Sequence, residues 1–462
     1  MPDAHVGPTF ITLWRITVTF KDLRGETLST VHANSARAYD QTLDLLNSYR
    51  ADPVAVLTPA LQQDPDFISG HLLMAGMMLA TYDPQMNAPA LASLEQAAAS
   101  PLAPTAREQS LHAALRAWAA GDMNDGNRQL DRHLIEHPRD LLALQLAHTA
   151  DLALGRTTML RDRIARVLPA WSESDAGYGY VLGMQAFGLE ECFAYEQAEE
   201  VGRRAVVMQP HDTWAIHAVA HVCEMQGRAA DGIQWMNATR SAWEANNGLA
   251  VHNHWHLALM HLARGEHAAA LALYDQAVTP SPTALALDLA DASALLWRLA
   301  MRGVDVGPRW ATLAQRWRTQ GLFGAMGFFD VHAAISFAAA GDEEGMRQLE
   351  RAAAAAEARP GAYAEWSAVT IPARNAMAAM VAGQHALCVD LLLPVLPVAQ
   401  ALGGSHAQRD LLTLTAQEAA RRDGQHALAK ALQAQRQVHQ LPITPLQSTR
   451  PWSLSERRTT PA

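Results

Sequence analysis

The sequence predicts an all-α protein, a right-handed α-solenoid of stacked helix hairpins with a concave inner surface. Three observations carry that expectation. Ala and Leu dominate while β-branched residues are sparse, and Ala and Leu are strong helix formers. A Gly-polar turn recurs between apolar runs along most of the chain. Histidines keep one phase relative to those turns.

At 462 residues the chain exceeds the size at which a single compact core keeps growing, so an elongated array is expected. With 49% hydrophobic and 18% charged residues it has the composition of a folded protein. The formal charge is −10 and no long basic block occurs, which argues against nucleic acid as a partner. Cys192, Cys223 and Cys388 form no CxxC pair and no disulfide framework, which fits a reducing cytoplasm. No stretch approaches eighteen uncharged apolar residues, so no membrane span is expected.

Residues 1–34 form an N-terminal extension, partly extended. Its apolar run at 9–20 alternates like a strand and lacks the basic start and cleavage site of a signal peptide. Residues 35–438 form the solenoid. Turn glycines fall at Gly121, Gly155, Gly227, Gly265, Gly303, Gly341, Gly383 and Gly424. Most gaps are 34 to 42 residues, and the gap of 72 between Gly155 and Gly227 leaves room for one further unit turning near Phe193-Ala194. Glycine ends a helix by taking the left-handed conformation, and the next helix packs back on the first. In 257–278, Ala258, Ala269 and Ala277 would let the pair approach closely. One hairpin cannot bury its apolar face alone; stacked neighbours can. Pro138, Pro210 and Pro280 end second helices, as in tetratricopeptide-like units. Residues 439–462 form a tail rich in Pro, Ser, Thr and Arg.

Counted back from the turn glycines, His112 lies 9 before, His148 7, His217 and His221 10 and 6, His252 and His256 13 and 9, and His332 9. Offsets 6, 9, 10 and 13 share one helical face, and 7 lies at its edge. The first helices of successive hairpins therefore present histidine to one inner surface. His217-x3-His221 and His252-x3-His256 are each i, i+4, the spacing by which two imidazoles clamp one transition metal, zinc for example. These four are the expected metal ligands. With Glu224, Asp291, Asp330 and His332 they form the expected catalytic set. Carboxylates in such a set ligate, orient imidazoles or move protons. His112, His148, Tyr180, Glu190, Trp255, Trp297 and Arg298 are expected to bind ligand, with Trp297-Arg298 stacking on a planar group. Glu190-Glu191 can also be read as a helix start. His254, His261, His267, His385 and His426 fall out of phase or in turns and are expected to face solvent.

The runs GYGYVLGMQAFGLEE, WAIHAVAHVCEMQGR and AVHNHWHLALMHLARGE within 177–266, with LDLADASALLWRL, VDVG at 304–307 and GGSHAQRD at 403–410, resemble the tetratricopeptide repeat protein 38 family over roughly residues 35–435. The resemblance implies that His217, His221, Glu224, His252, His256, Asp291, His332 and the His406–Asp410 block are family motif positions. His254 departs from it, standing where the family more usually carries an aromatic residue. The family name describes architecture and implies no reaction.

Two functions of different class follow. One is an enzyme whose His/acid-lined cleft binds a small polar or aromatic molecule and acts by metal-assisted or His/Asp acid–base chemistry, through hydrolysis, elimination or isomerisation. No GxSxG elbow, P-loop or strand-linked GxGxxG occurs, so serine-hydrolase, kinase and dinucleotide chemistry are not expected. The other is a non-catalytic adaptor for a peptide or protein. An adaptor for acidic tails would carry Lys and Arg where this chain carries histidine and aromatics. An array with exposed ends can also pair with itself as a homodimer.

Overall fold

A computed structural model describes residues 19–281, 284–358 and 362–440 of the chain. Strands are confined, among these residues, to a short antiparallel pair, Thr19–Lys21 with Thr27–Ser29, in which Phe20 lies opposite Leu28. The first helix begins at Ala33 and the last ends at Gln440. Most of the 9–20 run, and the tail beyond 440, lie outside the described residues.

Two kinds of helix alternate. Leu141–Ala153, Tyr178–Glu191, Thr213–Met225, Ala250–Ala263, Ala286–Met301 and Gly327–Ala340 are buried along almost their whole length. Their partners bury one stripe. Met123–Glu136, for example, buries Met123, Asn124, Gly126, Asn127, Leu130, His133 and Leu134 and exposes Arg128, Arg132, Ile135 and Glu136 on the opposite face. Consecutive helices pack on one another, giving an all-helical, repeat-like chain. All eight turn glycines have left-handed φ, and the further turn falls at Phe193, with φ 63°.

The ends of the chain close over the buried helices. Near the N-terminus, Tyr180 Oη donates to Asp44 Oδ1 at 2.7 Å and Asn247 Nδ2 donates to Ser48 O at 3.1 Å. This fixes the helix Ala33–Asn47 against elements far away in sequence. The helix His406–Arg422 lies across the other side. There Trp297 Nε1 donates to Thr415 Oγ1 at 2.8 Å, Arg298 Nη2 donates to Ala407 O at 2.7 Å, and Gly404 N donates to Leu152 O at 3.2 Å. Side chains on the 213–225 and 250–263 helices are therefore enclosed by protein.

No single helix among the described residues is long and apolar enough to cross a membrane. The bent pair His385–Leu392 and Leu396–Leu402 reaches that length only jointly, and its Cys388, Val389, Leu392 and Leu402 are buried.

Candidate metal centre

Asp212 starts the helix Thr213–Met225 by accepting Ala215 N at 2.9 Å. From that start, His217 and His221 fall on one face, with ring centroids 4.3 Å apart. His252 and His256 face them from Ala250–Ala263, at 4.8 Å from His217 to His252 and 4.3 Å from His221 to His256. All four are buried, and one ring nitrogen from each lies within 4.8 Å of those of the others. The sequence spacing thus brings the two pairs together.

Carboxylates surround the imidazoles. Asp291 Oδ2 lies 2.7 Å from His252 Nδ1, and Glu224 Oε2 lies 2.8 Å from His256 Nδ1. An ionised carboxylate accepts, so with Asp291 and Glu224 charged Nδ1 of each ring carries the proton and Nε2 presents a lone pair. His252 Nε2 is 3.0 Å from His217 Nε2, from which it can accept one proton. It is also 3.2 Å from His256 Nε2, where a second lone pair faces it. Glu190 Oε2 stands 3.5 Å from His221 Nδ1.

Glu190 and Glu191 close the helix Tyr178–Glu191 and do not begin one. Two buried carboxylates at the negative end of a helix oppose both desolvation and the dipole. Glu191 is held by His406 N at 2.8 Å and Arg409 Nη2 at 3.1 Å. Both Glu190 oxygens, both His221 nitrogens and His217 Nδ1 have no hydrogen-bond partner among the described residues. An unpartnered buried polar group costs about 1–3 kcal/mol. A cluster of them is therefore comparable with the whole stability of a typical domain, about 5–15 kcal/mol.

Burial sets the titration of the site. It pushes His221 down to about 4 and holds His217 and His256 well below the usual imidazole range, where neighbouring rings add to the effect. Burial, then the charge of Glu191, raises the Glu190 carboxyl. Burial pushes Glu224 up to about 7. A second proton is thus kept off His217, His221 and His256 near neutrality, which leaves one lone pair available on each of these rings.

Aromatic rings wall the cluster. Phe187 stacks on His217 at 5.5 Å and Trp255 on His252 at 5.4 Å. Trp214 Nε1 donates to His148 Nε2 at 3.1 Å. On the other side lies a cleft of about 570 Å³, lined by Glu191, Glu224, Arg298 and residues of the 406–422 and 426–440 helices. Glu224 is the link, since it bonds His256 and its side chain keeps 19% exposure.

The remaining expected site residues are distributed elsewhere. Arg298 lines the cleft and lies over the Trp255 ring at 5.4 Å. Trp297, one residue earlier, points about 100° away and is buried core, bonded to Thr415. The two do not form a stacking pair. His148 belongs to the aromatic wall. His332 is buried, its Nδ1 donating to Phe328 O at 2.7 Å, and Asp330 accepts Gly324 N at 3.0 Å; both organise the start of Gly327–Ala340 and lie outside the histidine group. His112 bonds Leu94 O at 3.0 Å, and Tyr180 ties Asp44 to Gln209. His254, expected in solvent, is buried against Trp243 with Glu244 at 3.5 Å. Sequence reasoning did not reach Arg302 and Arg436 at the cleft, which come from a helix end and from the last helix. No protein-family model matches the chain.

Proposed function

We propose that this chain is a tetratricopeptide-type helical solenoid, of the kind named for repeat protein 38, that holds a divalent transition metal at His217, His221, His252 and His256 and acts on a small molecule in the adjoining cleft. The observation that carries the metal reading is the pair of facing Nε2 lone pairs on His252 and His256. A proton between them would relieve the repulsion, but burial opposes a charged ring there. A dication satisfies both lone pairs and that of His221 Nε2, while His221 Nδ1 keeps its proton on the side of Glu190. Imidazole donors suit zinc, copper, iron or nickel. Asp291 and Glu224 are placed as the carboxylates that commonly orient ligating histidines, and Glu190 stands similarly towards His221.

Such an ion supplies Lewis-acid polarisation or an activated water. Glu224 joins the buried ring of His256 to the cleft and titrates near neutrality, so it is suited to take or give a proton at a molecule bound there. The volume of the cleft falls within the about 300–1,000 Å³ typical of small-molecule sites, which favours a small ligand over an extended peptide.

The test is elemental analysis of untagged protein beside a His217→Ala/His256→Ala variant. Near-stoichiometric transition metal that disappears in the variant supports the reading. Metal-free protein from a preparation never exposed to chelator would sink it. The catalytic part is tested by Glu224→Gln with metal retained, scored on a panel of ester, amide and phosphate-ester substrates. Turnover by the parent that is lost in the variant supports catalysis; a parent inactive across the panel favours the adaptor.

A further inference from the structure

The cleft beside the histidines is unusual in its charge. The chain carries −10 overall, yet four arginines line this one opening. Two are engaged, Arg409 with Glu191 and Arg436 bidentate with Asp410 at 2.7 Å. The other two have no carboxylate partner within ion-pair distance among the described residues. Arg298 is buried, and its guanidinium donates to the carbonyls of Ala294 and Ala407. Arg302 is exposed at the mouth, with Nη1 donating to Arg298 O at 2.9 Å. Asp410 and Glu224 act on the Arg298 guanidinium only from beyond ion-pair distance, and a buried guanidinium so loosely compensated is costly unless an anion arrives to meet it. Its planar donors match a carboxylate or phosphate. Its guanidinium carbon lies over the Trp255 ring, 5.4 Å from the ring centre.

We propose that the cleft binds a small organic anion whose carboxylate or phosphate is held by Arg298 and Arg302, with the remainder of the molecule reaching towards Glu224. The proposal names the substrate class and rests on the cleft being the substrate site, as argued above. It does not need the metal. Arg298 and Arg302 position the anion from the cleft wall, while the histidines lie behind Glu224.

The test is isothermal titration of the full chain with benzoate and phenyl phosphate, against the neutral benzyl alcohol and the cationic benzylamine. Benzoate, phenyl phosphate or both should bind at least tenfold more tightly than the neutral and cationic probes, and which of them binds identifies the anion. Arg302→Glu and the conservative Arg298→Lys should each weaken anion binding by roughly tenfold or more, with metal content unchanged. The His217→Ala/His256→Ala variant should still bind the anion, whether or not the parent carries metal. Equal affinity for benzyl alcohol overturns the proposal, as does unchanged anion affinity in Arg302→Glu. Anion binding lost together with the metal in the histidine variant also overturns it, because the ion would then be the anion's partner.

Discussion

The Nε2 atoms of His252 and His256 face one another at 3.2 Å, and each ring has its Nδ1 on a carboxylate, Asp291 or Glu224. With both acids ionised, the arrangement fixes the tautomers. It also divides the work, with Asp291 buried on the core side and Glu224 reaching the cleft. A buried site wired in this way to a solvent-accessible acid is hard to explain as core packing, because apolar side chains would fill the same space without leaving polar atoms unpartnered.

Asp291 should tune metal affinity without ligating. Asp291→Asn keeps an oxygen that can accept the His252 Nδ1 proton but removes the charge that makes the imidazole a better donor. Metal affinity should fall about 10–100-fold, measured by competition with a chromogenic chelator, while metal still binds at saturating concentration. Unchanged affinity would mean that His252 takes no part in ligation.

Metal removal should destabilise the fold. A ligand present at about a thousand times its Kd stabilises by about 4 kcal/mol, so exhaustive chelation should lower Tm by several degrees. The His217→Ala/His256→Ala variant should show no chelator-dependent shift. A shift of equal size in parent and variant would trace the effect to another site.

The periodicity of the array was legible because turn chemistry is local. Left-handed φ at every expected turn glycine, and at Phe193 in the long gap, follows from residues only a few positions apart. The four histidines were legible for the same reason, since i, i+4 spacing fixes a shared face and stacking does the rest. What lay hidden depends on long-range closure. Glu191 meets His406 and Arg409 across more than two hundred residues, and no local pattern signals that pairing. The alternative reading of Glu190-Glu191 as a helix start falls, because the two acids close Tyr178–Glu191, where contacts from His221, His406 and Arg409 meet them. Phase alone also over-reached. His112 and His332 have the same offset from their turns as His256, yet lie on helices too far along the array to join its cluster.

Asp212 should give stability a pH dependence unrelated to the histidines. Its side chain is buried, Oδ2 has no hydrogen-bond partner among the described residues, and burial pushes the carboxyl up to about 8 from a usual 3.8. A raised carboxyl pKa means that stability is full below the unfolded value and declines as pH rises towards the folded one, by up to about 1.4 kcal/mol per pH unit. Asp212→Asn can still cap through Oδ1 to Ala215 N but cannot ionise. Thermal melts from pH 5 to pH 8 should therefore show a smaller fall in Tm for the variant than for the parent. Parallel curves would show that Asp212 is not held in its neutral form.

Two turn glycines should respond differently to alanine, because one of them supports the closure of the cleft. At Gly121, φ is +96° and an added Cβ meets nothing within 4 Å, so Gly121→Ala carries the backbone cost alone, about 1–2 kcal/mol. At Gly155, φ is +67° and the Cβ would lie 1.7 Å from Gln400 O, in the segment Leu396–Leu402 that lines the cleft. That carbonyl belongs to backbone and cannot rotate away, so the segment must move as a unit. Gly155→Ala should cost clearly more than Gly121→Ala in denaturant melts. It should also increase hydrogen exchange across 396–404, which Gly121→Ala should leave protected. Equal costs, with the 396–404 amides unchanged in both variants, would mean that the segment does not rest on the Gly155 turn in solution.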